Sequence, residues 1–183
     1  MAEINAARTR MEGALEALRR DFATVRTGKA SPALLDSVRV EAYGSPMPLN
    51  QVATVGAPEP RMLTVQPWDK SLLATVERAI QAADLGLNPS NDGNVIRIPI
   101  PPLTEERRRD FVRQLHRMAE DARVSIRAAR KDANDAIKVS QKEGEISDDE
   151  AHREQDEVQK LTDDYTGRVD ELMKHKEAEV MEV

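Results

Sequence analysis

The sequence contains no cysteine. That excludes a disulfide framework, a thiol nucleophile and every thiolate metal site. Aromatic residues make up only 3% of the 183 positions. Any core must therefore be built from Leu, Val, Ile, Met and Ala, a mixture that suits long amphipathic helices better than a β-sandwich. Few aromatics also argue against a reader of single-stranded nucleic acid, which stacks bases on aromatic rings. No segment approaches the roughly 18 apolar residues of a membrane span, and the opening MAEINAARTR lacks the apolar stretch of a signal peptide. We expect a soluble, cytoplasmic protein with no membrane attachment.

Catalytic motifs are missing as well. TGKAS (Thr27–Ser31) superficially resembles a phosphate-binding loop, but that motif needs glycine at 23 and Ser or Thr at 30; both positions are alanine. NPSNDG (Asn88–Gly93) begins like a calcium loop, yet the twelfth position is Pro99 rather than glutamate. A turn built on Asn91-Asp92-Gly93 accounts for it. His116, His152 and His175 stand apart from one another with no ligand spacing. We expect no enzyme, no metal site and no cofactor of its own.

What is present is helical periodicity. Ile4, Ala7, Met11, Ala14, Leu18 and Val25 recur at steps of mostly three and four, with Leu15 and Phe22 widening the stripe. This first helix ends in RTGKASP, where Gly28 and Pro32 both oppose continuation. All ten prolines fall between Pro32 and Pro102, marking a separate, turn-rich block. Within it Val38, Val40 and Ala42 alternate with Arg39, Glu41 and Tyr43 as a half-buried strand, and Met62–Gln66 and Asn94–Ile100 alternate likewise. Leu72, Leu73, Val76, Ile80 and Ala83 form a short helix between them.

Beyond Thr104, a plausible N-cap, the pattern is the most regular in the chain. Val112, Leu115, Ala119, Ala122, Ile126, Ala129, Ala133 and Ala136 alternate steps of three and four. That is a heptad seam, and its alanines permit close helix approach. The helix stops near Gly144; Ser147 and Glu150 form a capping box. They open a last helix with Val158, Leu161, Tyr165, Val169 and Leu172 inward. Narrow apolar stripes need partners, so the three long helices must pack together. The expected fold is α+β: an elongated three-helix bundle of residues 1–30 and 104–183, with an inserted small β/α/β domain at residues 31–103. The chain crosses between domains at Ala30–Ser31 and Leu103–Thr104, each crossing stiffened by neighbouring proline. These four residues are the expected hinge.

Charge is unevenly spread. The net charge of −6 conceals +4 over residues 104–142 and −10 over residues 143–183. At about 100° per residue, with Arg123 at zero, Arg130 falls near −20°, Arg109 and Arg127 near 40°, and Arg113 and Lys131 near 80°. The seam lies on the far side, at about −60° to −120°. Between 109 and 141 this basic band contains one acid, Glu120, beside the neutral His116, Asn134 and Gln141. Local ion pairs such as Glu105 with Arg109 account for part of it. Like charges crowded on one band repel, however, so the band points to a polyanionic partner, and arginine suits phosphate geometry. A folded RNA recognised by shape fits best. We assign Arg130, Arg127, Arg123, Lys131, Arg109, Arg113 and, from the first helix, Arg10 to RNA contact. The alternative is an adaptor, a bundle that binds a protein through its acidic last helix.

RTGKASPALLDSVRVEAYG, DLGLNP, IRIPIPPLTEERR, RKDAND and KHKEAEVMEV, taken together, resemble bacterial ribosome recycling factors along essentially the whole chain. The resemblance implies an L-shaped, two-domain monomer of tRNA-like size with a hinge. It implies action with elongation factor G and GTP on the post-termination 70S ribosome, splitting it into subunits and releasing mRNA and tRNA. The GTP would be used by elongation factor G. Arg130 and its neighbours would contact large-subunit ribosomal RNA near the peptidyl-transferase region. Lys29 and Lys131 stand where the family commonly has arginine, and lysine cannot form a bidentate fork.

Overall fold

The computed structural model describes residues 1–182. They form four α-helices, α1 (Ala2–Ala23), α2 (Leu73–Ala82), α3 (Glu105–Lys142) and α4 (Asp148–Met181). The six strands are β1 (Arg39–Ala42), β2 (Ser45–Pro48), β3 (Ala53–Glu59), β4 (Met62–Pro67), β5 (Ser90–Asn91) and β6 (Ile96–Pro99). The chain divides into two compact units, residues 1–27 with 105–182, and residues 28–104.

The first unit is a bundle of α1, α3 and α4. Met11, Leu15, Leu18, Leu115, Ile126, Val158 and Val169 form its core. Each such aliphatic side chain contributes about 1.5–3 kcal/mol by leaving water. Ala119, Ala122, Ala129 and Ala133 are buried on the same face of α3, where their small size lets the neighbouring helices approach. The seams depart from strict heptads in two places. Ile137 is buried where Ala136 was expected, and Met173 where Leu172 was expected; Ala136 and Leu172 are only half-buried. A straight helix at 3.6 residues per turn drifts by about 20° per heptad, so after two or three heptads the next residue inherits the inward position. Helix α1 also ends earlier than the pattern implied, at Ala23. Thr24 and Val25 close back onto the Asp21 and Phe22 carbonyls, and Val25 is buried from this non-helical turn.

Tyr165, the one aromatic of α4, is buried. Its hydroxyl donates to Glu12 Oε2 at 2.6 Å, which ties α4 to α1 and raises the tyrosine pKa. The turn between α3 and α4 is closed by the expected box: Glu150 N–H donates to Ser147 Oγ, and Ser147 N–H to the Glu150 carboxylate. The Ser147 N–H and hydroxyl hold the Glu150 carboxyl below its ordinary 4.5. A carboxyl depressed in the folded state stabilises fully above its unfolded value, and that contribution disappears as pH falls through the folded value. Ser147→Ala should therefore cost about 1 kcal/mol at neutral pH in a denaturant titration. The gap between variant and wild type should narrow once the pH drops below the carboxylate range; a gap independent of pH would contradict the box.

The second unit holds two antiparallel sheets, β1–β2 and the four-stranded β3-β4-β6-β5. Val40, Leu63, Val65, Ile96 and Ile98 point into one core with Val76 and Ile80 of α2. The sequence reading anticipated β1, β4, β6 and α2, and did not anticipate β2, β3 or β5. β1 and β2 are joined by Tyr43-Gly44, both at positive φ (54° and 84°). This two-residue turn matches strand twist and favours glycine. The Asn91-Asp92-Gly93 turn is present. Asp92 Oδ1 accepts the Asn94 and Val95 N–H groups, and Arg97 pairs with the same carboxylate.

Candidate nucleic-acid interface

Helix α3 carries six of the seven assigned cations, and α1 the seventh. Arg123, Arg127, Arg130 and Lys131 occupy just over two turns in its middle. Arg113 and Arg109 lie about 26 and 32 Å before Arg130 at 1.5 Å per residue, so they form a separate patch. Arg10 projects from α1 onto Asp132 of α3. Asp132 lies about 180° round the helix from Arg123, which puts Arg10 off the band. The structure thus gathers four of the seven and leaves three elsewhere.

Within the central group the charges are largely compensated. Arg127 reaches Glu120 at 2.6 Å, and Arg123 approaches the same carboxylate at 3.5 Å. These guanidiniums, Arg127 foremost, hold the Glu120 carboxyl below its ordinary range. Arg123 also spans to α4, meeting Asp170 at 2.7 Å. Lys131 pairs with Asp135 at 2.8 Å, which raises the lysine and lowers the aspartate. Arg109 and Arg113 pair with Glu105 and Asp110. Helical spacing already set Glu120 and Glu105 on the band, and it placed only Asp110 and Asp135 on a neighbouring face. Side chains at i+3 and i+4 bring Asp110 and Asp135 to Arg113 and Lys131, and the partner helix supplies Asp170.

Arg130 differs. Among the described residues it has no carboxylate within ion-pair distance. The hydrogen bond the structure gives it runs from its guanidinium to the neutral amide oxygen of Gln159 on α4, at 3.5 Å. That is the outer limit of a hydrogen bond, so the amide orients the guanidinium without neutralising it. Arg130 is half-buried, which limits the rotamer freedom left to lose on docking. One turn on, the buried Oδ1 of Asn134 has no partner among the described residues. A pre-oriented, uncompensated arginine is a ready phosphate ligand, whereas its paired neighbours must first share or release a carboxylate. Gln159 was not foreseen from the sequence, because its role depends on the register between α3 and α4.

The crossing segments belong with the strand unit. Ala30 N–H donates to Pro60 O at 2.6 Å, and Ile100 N–H to Arg61 O at 2.8 Å, so both are fixed to the turn between β3 and β4. Ser31 Oγ accepts from Ala33 N–H at 3.4 Å and caps the short 3-10 turn Pro32–Leu35. Gly28, at φ 76°, sits where an added Cβ would meet Leu103 Cγ at 3.5 Å. Space is adequate there; the left-handed backbone is what favours glycine. Thr104 is the last residue of this unit.

Comparison with known proteins places this architecture. The ribosome recycling factor family matches residues 18–181, across both units. The ribosome-recycling factor of Rubrobacter xylanophilus is 57% identical over 181 residues, covering 99% of this chain and 97% of that protein. Among solved structures, the solution structure of a ribosome recycling factor is similar with a TM-score of 0.74 and 41% identity, over 100% of this chain and 97% of that one. Another is the Thermus thermophilus ribosome recycling factor, described with Escherichia coli elongation factor G on the E. coli post-termination complex. It is 48% identical, with a TM-score of 0.62 over 99% of this chain and 98% of that one. With both units matched end to end at this identity, the chain belongs to the ribosome recycling factor family.

Proposed function

We propose that this protein recycles ribosomes after termination, binding the post-termination 70S ribosome through large-subunit RNA and, with elongation factor G and GTP, separating the subunits. Membership of the family across both units carries this reading. The relative placed on a post-termination complex with elongation factor G supports the choice of partners. The protein itself acts without catalysis and without a cofactor; GTP belongs to elongation factor G. It works as a monomer in the cytoplasm, and among the described residues no helix is long and apolar enough to cross a membrane.

The anchoring chemistry follows from Arg130. Its uncompensated guanidinium takes an RNA phosphate, with Arg123, Arg127 and Lys131 adding a positive field around it. Arg109 and Arg113 make weaker contacts farther along α3, and Arg10, paired with Asp132 off the band, adds only to the longer-range positive field. With the bundle anchored, elongation factor G acts on the smaller unit, and Ala30, Ser31, Leu103 and Thr104 serve as the hinge. The hydrogen bond from Ala30 to Pro60 makes Ala30 the fixed edge of that hinge. Sedimentation tests the function: post-termination ribosomes mixed with this protein, elongation factor G and GTP should yield free subunits. Omitting any one of the three should leave them intact, and intact ribosomes in the complete mixture would refute the proposal.

A further inference from the structure

Helices α3 and α4 run antiparallel, as the contacts Arg123–Asp170, Arg130–Gln159 and Gln141–Asp148 show by their opposed numbering. Arg123 meets Asp170 at 2.7 Å. One heptad further along α3 stands Arg130, and one heptad back along α4 stands Asp163. The packing repeat therefore offers Arg130 the same kind of carboxylate partner that Arg123 takes. The two do not pair. Asp163 instead accepts from Gln159 Nε2 at 2.9 Å, while the other end of the same amide, Gln159 Oε1, faces Arg130 at 3.5 Å. Gln159 and Asp163 are four residues apart on α4, the spacing at which side chains meet on one helix face. The amide is interposed between a guanidinium and the carboxylate that would otherwise neutralise it.

We infer that Gln159 is a positioning residue that holds Asp163 away from Arg130, keeping the Arg130 charge free for RNA phosphate. This rests on the proposal that Arg130 contacts ribosomal RNA. A primary amide suits the task because it donates and accepts at once. Its Nε2–H group occupies Asp163, and its oxygen aims the guanidinium without adding charge. Alanine at 159 can do neither, so Asp163 becomes free to pair with Arg130 as Asp170 pairs with Arg123. A glutamate at 159 supplies a carboxylate directly.

The test compares four variants by their affinity for purified 70S ribosomes at several salt concentrations, with folding checked by circular dichroism. Arg130→Ala sets the loss expected when the contact is deleted. Gln159→Ala should weaken binding about five-fold and reduce the slope of log affinity against log salt towards that of Arg130→Ala, by up to about 1. Gln159→Glu should weaken it at least as much. Adding Asp163→Asn to Gln159→Ala removes the competing charge and should bring affinity back to within about two-fold of wild type. A purely structural Gln159 would not be rescued in this way. If Arg130→Ala weakens binding while Gln159→Ala does not, or if the double variant fails to recover, the positioning role is refuted and the phosphate contact stands. If Arg130→Ala binds like wild type, the phosphate contact itself is refuted and the positioning role with it.

Discussion

Ile126→Asp should unfold the bundle. Ile126 is fully buried at the centre of the α3 seam, in contact with a core shared by α1 and α4. The substitution removes about 1.5–3 kcal/mol of aliphatic burial. It also places a carboxylate where no partner exists, at a further cost of several kcal/mol. A domain of this size has about 5–15 kcal/mol of stability in all, so the helical circular dichroism should be lost on mild heating. Burial raises the pKa of the introduced acid. A raised acid stabilises relatively below its unfolded value and loses that contribution as pH rises through the folded one. The variant should thus be least unstable in mild acid and worst at neutral pH. A melt like that of wild type would mean that another face of α3 is buried. Ribosome binding should fail with the fold, which separates this variant from the next.

Arg130→Ala should lose binding and keep the fold. Hydrogen bonds to charged groups contribute about 1.5–3 kcal/mol, so affinity for 70S ribosomes should fall about ten-fold or more. The melting temperature should hardly move. Arg130 has no ion pair among the described residues, and its 3.5 Å bond to Gln159 contributes little. Arg127→Ala makes the contrast: it loses a cation already paired with Glu120, and its effect on affinity should be smaller. Equal effects for the two would remove the distinction drawn here between a free and a compensated arginine.

How much of this was legible before the structure depends on which signal each element carries. The long helices announce themselves by periodicity, and Met11, Leu115, Ile126 and Val169 were placed correctly because local geometry fixes their face. Ile137 and Met173 were missed because a strict heptad ignores the slow drift of a straight helix. β2 reads Ser-Pro-Met-Pro, and β3 contains Gly56 and Pro58, residues that argue against a strand. Both strands lie at sheet edges, where a missing N–H is tolerated, and β3 also shifts register between Gly56 and Glu59. At the site, the direction of Arg130 followed from residue spacing. Its freedom from acids did not, because Asp170, Asp163 and Gln159 sit on another helix and matter only through the α3–α4 register. Arg10 was grouped with the band for the same reason; nothing local to α1 reveals that it faces Asp132.

The central claim is that the Arg130 face of α3 binds RNA phosphate rather than a protein surface. Salt titration of ribosome binding tests it most directly, with wild type and Arg130→Ala measured side by side. The account predicts a steep linear fall of log affinity with log salt for wild type, and a slope shallower by about 1 for the variant. Salt-insensitive binding, or identical slopes for the two proteins, would contradict it and favour a protein partner on the acidic α4 instead.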